Sequence, residues 1–285
     1  MKVSHKAELE ATSSVPSEVR RFLLLVAYDG SPWSGFQQQD NAETVAGQLD
    51  RAIRSIDPFA TRVLGASRTD AGVHARLQPV TFDTKRSSPL SRGWVLGLTG
   101  ALPESIAVLR AAEVPSNFDP RREPLWKIYR YRVLSSPVAD PFLTKKAYRI
   151  KDQLNLELMQ AEARELVGEH DFAAFRSAHD CRTTTIRHLH AVDVVQSQED
   201  ARLIDIVVRG DRFLYNMVRI IAGTLVDVGR GRLRPGAVLR ALESKTRSDL
   251  GMTAPAHGLC LEYVELPNWG QEAWPSPIPE IPRLF

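Results

Sequence analysis

Apolar residues recur along this chain with two spacings, and the alternation between them lays out an order of elements. Residues 22–28 (FLLLVAY) form an unbroken apolar run of strand length, which predicts a buried strand. Thr44 stands just before Val45, Leu49, Ile53 and Ile56, a near-four spacing behind an N-cap residue that predicts a helix. Strands are predicted near 61–66 and 78–84, a helix over 89–98 and, after Leu102-Pro103, a strand over 106–114. The first half therefore reads β-α-β-β-α-β.

The order then repeats. Residues 126–134 (WKIYRYRVL) predict a strand, and Asp152 as N-cap opens a helix with Leu154, Leu158, Ala161 and Leu166 on one side. Strands follow over 184–196 and 201–209, the later one alternating Ile204, Ile206 and Val208 with polar or exposed positions. A long helix over 213–228 ends at Gly229, a shorter one has Pro235 in its first turn, and a strand over 259–266 closes the pattern. Two such units match the split-βαβ, ferredoxin-like arrangement and place the chain in the α+β class. The expected organisation is an irregular tail over 1–17, one ferredoxin-like half over 18–120, a second over 121–268 and a proline-rich tail over 269–285. Two such sheets side by side make a mixed-sheet platform with a central cleft, where functional groups should converge.

Composition narrows the class. With 285 residues, 43% hydrophobic and 25% charged, the chain is neither disordered, collagen-like nor coiled-coil. No apolar run approaches the ~18 residues that cross a bilayer. The polar, acidic N-terminal segment has no signal-peptide core, and two cysteines, Cys181 and Cys260, are too few for a disulfide framework. A cytoplasmic protein without membrane contact is expected. Net charge is +3, yet 29 of the 37 basic residues are arginine. Arginine suits bidentate phosphate contacts and base stacking, although an arginine-rich proteome gives the same count. Distribution tells more. Arg121, Arg122, Lys127, Arg130 and Arg132 fall in a stretch with one acid, Glu123, and Arg230, Arg232 and Arg234 crowd a glycine-containing turn. Local basic patches on a nearly neutral chain point to a polyanionic partner.

The densest polar segment, residues 65–75 (GASRTDAGVHA), lies between two predicted strands. Two readings compete there. Asp70 caps local backbone while Gly72 supplies a positive-φ turn, or Arg68 favours the ionised form of a working carboxylate at Asp70.

Residues 68–75 (RTDAGVHA) resemble the signature of the tRNA pseudouridine synthase A family. The resemblance extends to Tyr28-Asp29-Gly30 with Gly35, Gln37 and Gln39, to Leu102-Pro103 with Ile106, and to Phe118 and Arg121. It continues through Tyr129-Arg130-Tyr131, Asp171-Phe172 with Phe175-Arg176, and Met217-Val218-Arg219 with Gly223, so that it spans roughly 22–266. Departures are Ser67 where the family often has Gly, Ala46 where Gln is common, and Thr99-Gly100 where Asn usually precedes Leu-Pro. None falls within residues 68–75.

The resemblance implies two ferredoxin-like halves flanking an active-site cleft, and isomerisation of uridine to pseudouridine at positions 38, 39 and 40 of the tRNA anticodon stem-loop. It implies a homodimer, with no metal and no organic cofactor. Asp70 is then the nucleophile, Arg68 pairs with it and helps hold the flipped nucleotide, and Tyr129 stacks on the uracil and helps remove the C5 proton. Arg219 matches an arginine near the carboxylate, and Arg121, Arg176 and Arg182 are expected along the RNA path, with Arg130 and Arg132 as further candidates.

Rival readings carry less. His179, Cys181, His188 and His190 make a zinc set without conventional finger spacing. A Ser177/His179/Asp180 triad asks immediate sequence neighbours for a geometry they rarely reach. His74 is expected to be a structural hydrogen-bonding residue. A hydrolytic glycosidase needs a second carboxylate, which the motif lacks. A non-catalytic RNA-binding platform has no reason to keep a carboxylate in a phosphate-attracting cleft.

Overall fold

The computed structural model describes residues 19–178, 180 and 182–267. Its elements, in chain order, begin with β1 (Arg20–Tyr28), α1 (Val45–Ile56), β2 (Leu64–Gly65), β3 (His74–Thr84), α2 (Ser91–Ala101), β4 (Ile106–Val114) and β5 (Trp126–Ser135). They continue with β6 (Tyr148–Ile150), α3 (Leu156–Arg164), β7 (Gly168–Asp171), β8 (Ile186–Gln196), β9 (Leu203–Gly210), α4 (Met217–Gly229), α5 (Ala237–Ser244) and β10 (Leu259–Glu265). All ten strands join one mixed sheet in the order β4-β1-β3-β10-β5-β9-β8-β7, with β2 on β3 and β6 on β5. The chain is thus α+β, with the predicted halves joined in one mixed sheet. The reason is β10, which pairs parallel with β3 at Cys260 and Leu261 and antiparallel with β5, closing the seam.

The helices cover the sheet through the predicted apolar stripes. Thr44 caps α1, its side chain accepting from the Gly47 amide, and Val45, Leu49 and Ile53 are fully buried. Each such side chain contributes about 1.5–3 kcal/mol. Trp94 of α2 packs edge-on to Phe82 of β3 with ring centroids 4.8 Å apart, and Phe22 of β1 lies 5.9 Å away. Among the described residues no helix is long and apolar enough to cross a membrane.

Helix starts in the second half differ from the expectation. Asp152 is not a cap. The N-cap of α3 is Asn155, whose Oδ1 accepts from the Leu158 amide at 3.0 Å. Helix α4 begins at Met217 because Asn216 adopts a left-handed conformation, φ 62°, which breaks any helix running on from Phe213. Pro235 precedes α5, and the amides of Gly236 and Val238 donate to the buried carboxylate of Glu162 on α3, a cap supplied by another helix. Strands β6 and β7, three and four residues long, carry no periodic signal.

Candidate active site

The loop between β2 and β3 carries the polar motif, and neighbouring elements pin its backbone. The Phe36 amide donates to the Thr69 carbonyl at 3.0 Å, Lys127 Nζ donates to the Ala66 carbonyl at 2.8 Å, and Gln78 Nε2 donates to the Ser67 carbonyl. The Thr69 hydroxyl is buried against that of Tyr28 at 2.7 Å. Gly72 sits at φ +79°, the left-handed turn that a side chain strains. Asp70 therefore projects from a loop fixed on both flanks.

It projects into a cavity of about 280 Å3, lined among others by Arg68, Arg121, Lys127, Tyr129, Arg182 and Arg219. Arg219 donates to Asp70 Oδ2 at 3.1 Å. The guanidinium is itself held by the Ala254 carbonyl and Asn216 Oδ1, both at 2.8 Å. Gly223, one turn further along α4, allows this placement, since a Cβ there would lie 1.8 Å from the Met252 carbonyl oxygen. The 252–254 segment can then run against α4 and present Ala254 to Arg219. Burial raises the Asp70 carboxyl above the usual carboxylate range, and the Arg219 charge opposes that rise. Among the described residues Oδ1 accepts no hydrogen bond, so it is available for chemistry.

Tyr129 of β5 forms a wall. Its ring meets Phe213 edge-on at 5.0 Å, and its hydroxyl lies 2.7 Å from Ser67 Oγ. Burial pushes the phenol up to about 12, with the Ser67 hydrogen bond opposing and the Asp70 charge adding to the rise. At neutral pH this tyrosine keeps its proton.

Several expectations are corrected. Arg68 lines the cavity but forms no ion pair with Asp70. Its side chain is exposed, where such a pair gains little against hydration, and Oδ2 is already taken by Arg219. Arg130 and Arg132 are not on an RNA path. Arg130 is buried between Glu262 and Asp205, at 2.6 and 3.5 Å, and Arg132 makes two hydrogen bonds to Asp205 at 2.8 Å. Their charges are neutralised inside the sheet. Replacing Arg130 by alanine takes away the cation 2.6 Å from buried Glu262, which keeps only the exposed Arg76, while Asp205 keeps Arg132, and should cost about 3 kcal/mol. Urea unfolding will register that loss, whereas a cost below about 1 kcal/mol would mean that Glu262 finds another partner.

The remaining arginines separate by position. Arg121 and Arg182 line the cavity, each also paired with a neighbouring acid, Asp119 at 3.3 Å and Asp180 at 2.6 Å. Arg176 does not line it and donates instead to the Arg182 carbonyl at 3.3 Å. His74 accepts from the Gly30 amide on Nδ1, so Nε2 carries the proton to the His257 carbonyl, both at 3.1 Å. Burial lowers its pKa, consistent with a neutral structural imidazole. The Ser177/His179/Asp180 triad and the zinc set rely partly on His179 and Cys181, which lie outside the described residues. Asp180 accepts from Arg182 and from the Tyr215 amide.

Sequence reading passed over three contributors. Lys127 is half-buried in the cavity wall, and loss of hydration, with Arg212 and Arg182 nearby, lowers its ammonium to about 8. Phe213 supplies the ring against Tyr129. Ser67, noted only as a departure, meets the Tyr129 hydroxyl. Lys127 stood within a basic patch and was the one of the three with a signal in the sequence.

A family model described as tRNA pseudouridine synthase matches residues 163–267. A tRNA pseudouridine synthase A of Geobacter sp. (strain M21) is 41% identical over 251 residues, covering 88% of this chain and 100% of that protein. One of Halalkalibacterium halodurans is 43% identical over 242 residues, covering 85% and 90% respectively. A crystal structure of a Cbf5-Nop10-Gar1 complex overlaps at TM-score 0.36 and 12% identity, over 84% of this chain and about half, 48%, of that one, a likeness too weak to bear on function. With two full-length relatives above 40% identity and the family's own region matched in the second half, the chain belongs to the tRNA pseudouridine synthase A family.

Proposed function

We propose that this tRNA uridine isomerase acts at positions 38, 39 and 40 of the anticodon stem-loop, with Asp70 as its nucleophile. The observation that carries the reading is the Arg219–Asp70 pair, 3.1 Å long, in a cavity walled by Tyr129 and lined by arginines. In the reaction the N1–C1′ bond breaks, the uracil turns while held, and C5 bonds to C1′. The C5 proton leaves and N1 gains one, so the product is an isomer. Asp70 serves either route, by attack on C1′ to give an acylal or by addition to the ring. The target uridine must first leave its stack. Tyr129 then packs on its face, and its retained proton suits a hydrogen-bonding role better than that of a resting-state base. Arg68, Arg121 and Arg182 hold the backbone of the flipped nucleotide and its neighbours, and Arg176 positions Arg182. A cytoplasmic homodimer completes the reading, with one tRNA bridging two subunits.

Mapping pseudouridine in unmodified tRNA incubated with the chain tests the positions. Product confined to 38–40 is expected, and product only elsewhere in the tRNA would overturn the assignment.

Two further outcomes follow from the cavity. Tyr129→Phe keeps the ring against Phe213 and removes the hydroxyl facing Ser67, so tRNA affinity should hold while single-turnover rate falls by about tenfold or more. A wild-type rate would deny the hydroxyl any chemical role. Arg182→Ala or Arg121→Ala should weaken tRNA binding and flatten the plot of log K against log salt by roughly 0.7–0.9 per lost phosphate contact. An unchanged slope would mean that these arginines stay with Asp180 and Asp119 in the complex.

A further inference from the structure

Away from the Asp70 cavity, three adjacent strands bring imidazoles and carboxylates to one place. His188 and His190 lie on β8, and Asp211 follows the end of β9. The register between the two strands steps from Leu189 opposite Gly210 to Ala191 opposite Arg209, leaving His190 as the extra residue of a bulge. Bulges re-aim side chains, and this one sets His190 Nε2 2.5 Å from Asp211 Oδ1. The second carboxylate oxygen, Oδ2, lies 3.8 Å from His188 Nδ1. The two rings stand 4.5 Å apart, and one donor atom from each of the three residues falls within 4.8 Å of the others. The Asp211 amide donates to the His188 carbonyl at 3.3 Å, tying the turn to the strand that bears the histidines. On the other side, Glu169 of β7 is directly opposite His188 in an antiparallel pair, which places both side chains on one face.

We propose that His188, His190 and Asp211 bind a divalent transition metal, with zinc the natural fit, and that water or Glu169 from the neighbouring strand fills its fourth position. Two imidazoles and a carboxylate are borderline donors that suit zinc better than calcium or magnesium. A tetrahedral ion with bonds of about 2.0–2.2 Å needs donors roughly 3.3 Å apart, and the separations of 2.5 and 3.8 Å bracket that value. Small side-chain rotations open the first and close the second. Each histidine already turns a different nitrogen toward its own carboxylate oxygen. The side chains are partly exposed, so an ion can enter and keep water or Glu169 in its fourth position. None of the four residues lines the Asp70 cavity, and the proposal does not depend on the assignment of Asp70 or on the tRNA positions. The ion would clip β8 to the end of β9 at the turn from which Phe213, two residues beyond Asp211, reaches Tyr129. It holds structure and takes no part in bond making.

The test uses the full, untagged chain stripped of metal with a chelator and dialysed. Calorimetric titration with Zn2+ should show one ion per chain, and Co2+ should give the visible absorption of a nitrogen- and oxygen-ligated site. His190→Ala and Asp211→Asn should each weaken Zn2+ binding at least about tenfold, and the exposed His188→Ala should do the same with little risk to folding. Zn2+ should raise the melting temperature of the parent chain and leave that of the His188→Ala/His190→Ala double variant unmoved, while the two melt alike in chelator. Absence of a stoichiometric site overturns the proposal. So does equal Zn2+ affinity in the parent and the double variant, which would place the ion elsewhere.

Discussion

Asp70→Asn should lower pseudouridine formation by at least about a thousandfold and leave tRNA affinity within a few-fold of the parent chain. The substitution keeps the shape of the side chain and removes the charge proposed to act as nucleophile. Arg219 stays in place because the Ala254 carbonyl and Asn216 still hold it, both at 2.8 Å. The loop stays in place because its pins are backbone contacts to Phe36, Lys127 and Gln78 rather than contacts of the carboxylate. A loss of turnover in this variant therefore reports chemistry rather than collapse of the site. Single-turnover measurement with a tRNA bearing uridine at 38–40, alongside filter binding, separates the two. A residual rate within about tenfold of the parent would withdraw Asp70 as the nucleophile. Affinity lost in parallel with rate would recast the residue as part of the RNA-binding surface.

How far this site can be read from sequence depends on how local its determinants are. The loop around Asp70 is eight contiguous residues, and Thr44 announces α1 because a cap and its helix are neighbours. The partner of Asp70 is legible only through the family resemblance, which sets Arg219 near the carboxylate, and not through local spacing. Arg68 is two residues away and invites pairing, yet Arg219, 149 positions distant, makes the contact. Only the fold, with β10 joining β3 to β5 and α4 pressed on the 252–254 segment, brings that arginine in. Arg130 and Arg132 misled for the opposite reason. Their charges look free in sequence because Asp205 and Glu262 come from other strands. Ser67 was legible as a departure but not as a contact, since its partner Tyr129 sits 62 positions on. The His188/His190/Asp211 grouping depends on a bulge, and one inserted residue in a ladder leaves no periodic trace.

The largest effect beyond the nucleophile is expected at Arg219, where charge and geometry can be told apart. Burial drives the Asp70 carboxyl toward its protonated form, and the Arg219 guanidinium acts against it. In the proposed mechanism the reactive species is the carboxylate, so the acidic limb of kcat/KM against pH should follow its ionisation in the free enzyme. Arg219→Gln removes the opposing charge and leaves burial, and the Asp70 pKa rises further. The acidic limb should move to higher pH, and the rate at neutral pH should fall about a hundredfold. Part of that loss should return as the pH is raised through the new pKa. Arg219→Lys keeps a cation but gives up the fork that engages Ala254, Asn216 and Asp70 together. Its acidic limb should stay near that of the parent while its plateau falls, because the carboxylate is ionised but less well aimed. Neither variant should alter the salt slope of tRNA binding, since the guanidinium is committed to protein oxygens. An acidic limb that does not move in Arg219→Gln would show that this charge does not set the ionisation of Asp70. A salt slope that flattens in either variant would place Arg219 on a phosphate instead.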